Sequence, residues 1–244
     1  MLGFILLFTR PAYPGTLPEL LIYTEIWPPF NYLDDNGNIV GAATDVVRAL
    51  MNEANVQYSI EIMPWSRAFA KVQGQPNSLI YSIYYTNERA PLFHWLCPMF
   101  HSKGVGLFKL RSRKDLQLVS LDDAKSYLIG TIRGGFSREY LIAQGFSEQT
   151  NLLISSDEEA NVRQLFSRRV DLIIQSPESI AYRLKKMGVA TDQIEPVLDS
   201  FDNQERQICL AINRESDPIL IATLERAFNN IMRDRNTRLI PSLP

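Results

Sequence analysis

No segment of this sequence is apolar over the roughly 20 residues that a bilayer-crossing helix requires; the run Leu2–Phe8 (LGFILLF) is far too short. Positive charge is not in surplus either. Against 25 Lys and Arg stand 27 Asp and Glu, a formal charge of −2, so the counter-ion release that drives nucleic-acid binding is missing and no nucleic-acid partner is expected. No run of like charge marks an acidic or basic tail. Cysteine is scarce: Cys97 and Cys209 are too few for a disulfide framework, and read either as one bridge in an oxidising compartment or as two buried thiols. His94, Cys97 and His101 are spaced HxxCxxxH. No fourth ligand accompanies them in this apolar, strand-like stretch (FHWLCPMF), so core packing is expected there and not a metal. No nucleophile–base triad or pair of carboxylates is legible, and the Gly-Lys-Ser/Thr ending of a phosphate-cradling loop is missing. Neither an enzyme nor a cofactor is expected.

What is present is a globular composition, 45% hydrophobic and 10% aromatic over 244 residues, enough for one large domain or two small ones. Residues 1–19 read as a signal-peptide remnant or a flexible tail. Leu2–Phe8 resembles the end of a signal's apolar region, without the basic segment that normally precedes it.

From Leu20 onward one pattern is written twice. Leu20–Thr24 is a short apolar strand. Val46, Val47, Leu50, Met51 and Ala54 then fall on one face of a helix, with Thr44 as its candidate cap. Tyr58–Met63 alternates as a strand, Trp65, Ala68, Phe69 and Val72 mark a helix stopped by Gly74, and Leu79–Ile83 is a third strand. The second half repeats the order with a strand at Leu128–Ile132, a helix at Phe136–Ala143 and a strand at Leu152–Ser155. A helix opened by a Ser156/Glu159 capping box follows, then a strand at Val170–Ile174. Ser176 and Pro177 start another helix, ended by Gly188. Two βαβαβ units argue for two α/β lobes with mostly parallel sheets. Val105–Leu110 and Gln207–Ile212 read as strands crossing between the lobes, a two-strand hinge suited to closure on a ligand. The expected division is 20–107 with 209–244 in lobe one, and 108–208 in lobe two.

In such lobes ligands bind off the carboxyl ends of the strands, which selects residues just after Thr24, Met63, Ile83, Ile132 and Ile174. Glu25 and Trp27 follow the first strand, their turn stiffened by Pro28 and Pro29; Phe30 reads as core. Trp65 and Arg67 open the second helix, and an arginine at a helix start, unfavourable for the dipole, points to an anionic partner. Arg89 follows the third strand, where its guanidinium fork could hold a carboxylate beside Ser82, Tyr84 and Thr86. Gly-rich TIRGGF offers close backbone approach with Arg133 and Phe136 as side chains.

The strand–PPF–turn opening, the TxxR of Thr86–Arg89, the glycines of Gly130–Gly135 and the two crossings together resemble the family 3 solute-binding proteins, the polar amino acid-binding periplasmic proteins of ABC importers. The resemblance covers Leu20 to Leu239, and PWSRA is similar to a divergent branch of that family. It implies a type II periplasmic binding fold, export to the periplasm, a membrane permease as partner and a monomer. It also implies that Arg89 clamps a ligand carboxylate, that Trp27 stacks on the ligand, and that Ser82 and Tyr84 are polar neighbours. Gly135 and Phe136 fall where the second lobe usually offers a hydroxyl. Ser176 falls where the family has the aspartate that pairs with an α-ammonium, and a serine cannot neutralise that charge unless Glu25 or Glu178 substitutes. With Arg67, Arg89 and Arg133 as candidates, the expectation is weak binding of neutral α-amino acids and better binding of more anionic or aromatic ligands. Two alternatives share the fold, a dehydratase-like periplasmic enzyme and a sensor input module. A chain ending at Pro244 without a membrane helix favours a free binding protein.

Overall fold

The computed structural model describes residues 17–102, 104–198 and 206–237; the apolar run Leu2–Phe8 lies outside them. In chain order the elements are β1 (Leu20–Thr24), a small hairpin of β2 (Tyr32–Leu33) and β3 (Ile39–Val40), α1 (Ala42–Ala54), β4 (Tyr58–Ile62), α2 (Trp65–Gly74), β5 (Ser78–Tyr84) and β6 (Phe93–Ser102). Then come β7 (Gly106–Leu110), β8 (Ile129–Ile132), α3 (Phe136–Ala143), β9 (Leu152–Ser155), α4 (Glu158–Phe166), β10 (Leu172–Gln175), α5 (Pro177–Lys186), β11 (Ile194–Leu198), β12 (Arg206–Asn213) and α6 (Pro218–Thr237).

These strands make two five-stranded sheets, ordered β4-β1-β5-β12-β6 and β11-β7-β10-β8-β9. Each has a parallel trio with the first strand of its βαβαβ unit in the middle, β4-β1-β5 in one and β9-β8-β10 in the other. Two antiparallel strands extend each trio. The repeated order follows from right-handed crossovers, which return each helix to the sheet from which its strand left. Gly106 and Leu107 pair with Gln175 and Ile174 in the second sheet. Arg206, Gln207 and Ile208 pair with Ser102, His101 and Phe100 in the first. The chain therefore changes sheets between Ser102 and Gly106, and again between Leu198 and Arg206, where residues 199–205 lie outside the described ones.

Each sheet is packed on both faces. On the first, Leu20, Ile22, Leu79 and Tyr81 meet α1 and α6 through Leu50, Met51, Leu220, Leu224 and Phe228; the other face packs Ile80 and Ile83 against Trp65, Ala68 and Val72 of α2. Phe30 joins the core as expected. Full burial of a side chain such as Leu224 stabilises by about 1.5–3 kcal/mol. Two caps differ from their sequence expectation. Asp157, not Ser156, caps α4, its carboxylate accepting from Ala160 N at 2.8 Å. Glu159 instead pairs with Arg163 one turn on, because an aspartate at the cap also suits the positive helix end. Helix α1 starts before Thr44, at Ala42. The Thr44 hydroxyl lies inside the first turn, 3.0 Å from the Tyr81 hydroxyl.

Of the two readings left open for the cysteines, the structure has the bridge: Cys97 on β6 and Cys209 on β12 are disulfide-bonded, joining residues 112 apart in sequence. That bond takes the Cys97 sulfur out of the HxxCxxxH spacing as a metal ligand. Among the described residues, no group of His, Cys, Asp and Glu could hold a metal ion, and no helix is long and apolar enough to cross a membrane. A cross-link over so long a loop restricts the unfolded chain strongly, so reducing it should lower stability by about 2–5 kcal/mol. Urea unfolding with and without reductant measures this; an unchanged midpoint would mean the bridge is not formed in solution.

Candidate functional site

The carboxyl ends of the two parallel trios face one another across a cleft of about 530 Å³, partly open to solvent. Six strand ends supply its walls. Glu25 and Trp27 follow β1, Trp65 follows β4, and Ser82, Tyr84 and Arg89 end or follow β5; from the second sheet Ile132, Gly135 and Phe136 end or follow β8, Glu158 follows β9, and Gln175 and Ser176 end or follow β10. Eight of the ten expected residues line it: Glu25, Trp27, Trp65, Ser82, Tyr84, Arg89, Phe136 and Ser176.

Arg67 and Arg133 do not. Both are exposed to solvent and absent from the cleft wall. On α2 the buried stripe is Trp65, Ala68 and Val72, and Arg67, two residues past Trp65, falls about 200° round the helix from it. Arg133 follows the buried Ile132, which itself faces the cleft, and the backbone alternation turns the next side chain outward.

Ser82 owes its position to the backbone. Cys209 pairs with Ile83 and Leu210 with Tyr81, so Ser82 is the extra residue of a bulge in β5. Its φ of 62° lies in the left-handed region, uncommon for a residue with a Cβ. Its hydroxyl donates to Asn31 Oδ1 at 2.5 Å, and Asn31 in turn donates to Thr24 Oγ1 at 2.9 Å and Glu25 O at 2.6 Å. This buried network ties the bulge to the loop that carries Glu25.

Arg89 is 3% exposed, its guanidinium carbon 5.1 Å from the Trp65 ring centre and 5.5 Å from that of Phe69. One nitrogen, Nη2, reaches across the cleft to Glu139 Oε2 at 2.8 Å and Gly134 O at 3.4 Å. The Nε is buried without a partner. Trp65 Nε1 also donates to Gly134 O, at 2.6 Å. The glycine loop thus presents a carbonyl to the opposite lobe, and Gly135 must lack a side chain because a Cβ there would lie 2.6 Å from Ile132. From the other direction Arg183 on α5 donates to Ile26 O at 2.8 Å and Ser179 Oγ at 3.3 Å. Tyr84 meets Phe136 at 4.8 Å, and Tyr32 meets Tyr182 at 4.9 Å. The two lobes are closed on each other.

Glu158 and Gln175 escaped the sequence reading, although Glu158 follows a strand end as Glu25 does. Glu158 lies beyond the end of β9 at Ser155, in an SDEE stretch whose local pattern signals a helix cap and so masks the strand-end position. Gln175 Nε2 donates to Glu158 O at 3.1 Å and to its carboxylate Oε2, leaving Gln175 Oε1 buried and unpartnered. Glu178, the other candidate to replace the missing aspartate, is exposed and outside the cleft wall. The Ser176 hydroxyl accepts from Ser179 N at 3.4 Å as the cap of α5. Burial pushes the Glu25 carboxyl up to about 8, with Glu158 adding to the rise and Arg183 opposing it. Burial likewise raises Glu158, against Arg183. Tyr84, deep in the wall, is pushed up to about 12 by burial and stays protonated.

Two parallel-sheet lobes closed over a polar, aromatic-walled cleft at their strand ends define the type II periplasmic binding fold. The sequence agrees: the chain belongs to the bacterial extracellular solute-binding proteins, family 3, whose profile matches residues 20–240. It is 20% identical over 162 residues to the probable amino-acid-binding protein YxeM of Bacillus subtilis (strain 168), a match spanning 66% of this chain and 60% of that protein. In fold it is similar to a histidine kinase sensor domain with similarity to periplasmic binding proteins, with a TM-score of 0.78 at 17% identity over 91% of this chain and 93% of that one. It is similar also to an ancestral arginine-binding protein bound to arginine, with a TM-score of 0.76 at 19% identity over 90% and 95%.

The Arg89–Glu139 pair crosses the cleft, so Glu139→Gln should favour opening. Because Glu139 is 41% exposed, the effect is about 1 kcal/mol, roughly fivefold in the open-to-closed ratio. Distances between spin labels on α1 and α4 in ligand-free protein report it; an unchanged distribution would remove the pair from the closure contacts.

Proposed function

We propose that the chain is an extracytoplasmic receptor that captures a small polar ligand bearing a carboxylate, an amino acid or a close relative, and delivers it to the permease of an ABC importer. The observation that carries this reading is the closed cleft with Arg89 in its wall. A guanidinium that is 3% exposed, resting against two adjacent aromatic rings and retaining an unpartnered Nε is fixed in place for a carboxylate. Trp27, backed by Phe30 and Tyr84 at 5.0 and 5.4 Å, offers a rigid ring for the ligand's body. Ser82, Ser176, Phe136 and Trp65 complete the wall.

Under this reading, residues 20–102 with 206–237 form one moving lobe and 106–198 the other, joined by two crossings and acting as a monomer; the expected divisions after 107 and 208 shift because Gly106 and Leu107 pair in the second sheet and Arg206, Gln207 and Ile208 in the first. The Cys97–Cys209 bridge suits an oxidising compartment such as the periplasm. Binding is proposed and not catalysis, since the family, the Bacillus subtilis relative and the ancestral arginine-binding protein are described by what they bind. A second reading, the input domain of a membrane receptor, is favoured by the likeness to a kinase sensor domain; it changes the partner and leaves the cleft's task the same.

Calorimetric titration with arginine, lysine, glutamine, glutamate and their decarboxylated counterparts tests the proposal. Arg89→Ala should weaken the preferred amino acid by about thirty-fold to several thousand-fold, the roughly 2–5 kcal/mol of an unpaired buried charge. The decarboxylated counterpart should be little affected. Unchanged amino-acid affinity in that variant would take Arg89 out of the site.

A further inference from the structure

The closed cleft holds an unbalanced set of charges. Glu25 enters from the β1 loop of the first lobe and Glu158 from the start of α4 in the second, and both line the same space. Arg89 is committed to Glu139 of α3 at 2.8 Å, with Glu88 also acting on it from its own loop. Asp157 is held by Ala160 N and Ser156 Oγ at the N-terminus of α4. On α5, Arg183 acts on Glu25 and on Glu158, while Glu178 is exposed; the Tyr84 phenol on β5 stays neutral, with Arg206 of β12 acting on it. Arg89 also acts on Glu25 but is already paired with Glu139, so the three carboxylates Glu25, Glu139 and Glu158 face two guanidiniums and the closed space is one positive charge short. Gln175 sharpens the shortage. It spends its donor on Glu158 and leaves its own Oε1, in a residue 3% exposed, as a further acceptor in the cleft wall.

We propose that Glu25 and Glu158 hold one exchangeable positive charge between them, a proton in the ligand-free closed form and the ammonium or guanidinium of a cationic ligand in the bound form. This rests on the reading of the cleft as the ligand site, and it makes that ligand a cation-bearing one. Binding then releases the proton to solvent as the cation takes its place between the two carboxylates. No bond other than the carboxyl O–H is broken. Glu25 and Glu158 are half-buried, and holding both ionised in the cleft with no such charge is unfavourable, which agrees with the direction in which burial moves both groups. For a carboxyl raised in this way the protonated form is favoured up to its shifted value. Cation affinity therefore climbs with pH by about tenfold per unit across the neutral range and levels off above it.

Two measurements separate this proposal from the reading beneath it. The first needs no ligand: carbon NMR of carboxyl-labelled glutamates in the ligand-free protein, titrated with pH. One resonance titrating well above the ordinary carboxylate range, and lost in Glu25→Gln, is the expected result. All glutamates titrating in the ordinary range would overturn the proposal whatever the cleft binds. The second is calorimetry at neutral pH in phosphate and in Tris, whose different ionisation enthalpies count protons, with arginine, lysine, glutamine and glutamate as probes. Close to one proton released per arginine or lysine bound, and none in Glu25→Gln, is expected. Binding of any of these probes, each of which carries an ammonium, without proton release would overturn the exchange while leaving the cleft a ligand site. Failure of every probe to bind would overturn both.

Discussion

A charge shut away from water has to meet its opposite, and closure of this cleft depends on that requirement. Arg89 is buried only because Trp65 and Phe69 cover its guanidinium and Glu139 comes across from the other lobe to neutralise it. Arg183 makes the return crossing to the Ile26 carbonyl. Neither contact can form unless the carboxyl ends of the two sheets face each other. Arg89 is buried but Glu139 is 41% exposed, so solvent screens the pair and it adds only about 1 kcal/mol. It serves better as a device that makes one closed geometry preferable to its neighbours than as a source of folding energy.

The fold supplies the precision that this requires. The first strand of each unit lies between its two parallel partners, so the residues that follow it emerge from the middle of a rigid sheet. The bulge at Ser82 and the Asn31 network couple β5 to the loop after β1. As a result the positions of Glu25, Ser82 and Arg89 are not independent. The disulfide between β6 and β12 lies in the same sheet and joins a late strand to an early one, which keeps the first sheet intact however the crossings bend.

Much of this was legible in the sequence, and the failures have a common cause. Apolar strands of four to seven residues bounded by glycine, proline and asparagine read correctly because their burial is decided locally, and β1, α3 and β9 have the expected bounds. Strand-end logic then found eight residues of the cleft wall. It failed for Arg67 and Arg133, where residue type was weighed above the direction in which helix and strand geometry points the side chain. It failed also for Glu158, which lies at a strand end within a stretch whose Ser156 and Glu159 read as a capping box. The sequence leaves the Cys97–Cys209 bridge as one of two alternatives, since the choice depends on β12 pairing with β6, a contact between segments more than a hundred residues apart.

Structure determination of the protein crystallised with the amino acid that calorimetry selects is the most direct test of capture in the interlobe cleft. The expected result is a ligand held between the two sheets, its carboxylate on Arg89 and its body against Trp27, with Glu25 and Glu158 in contact with its polar remainder. A ligand bound on the outside of either lobe, with the cleft closed as it is here, would contradict it.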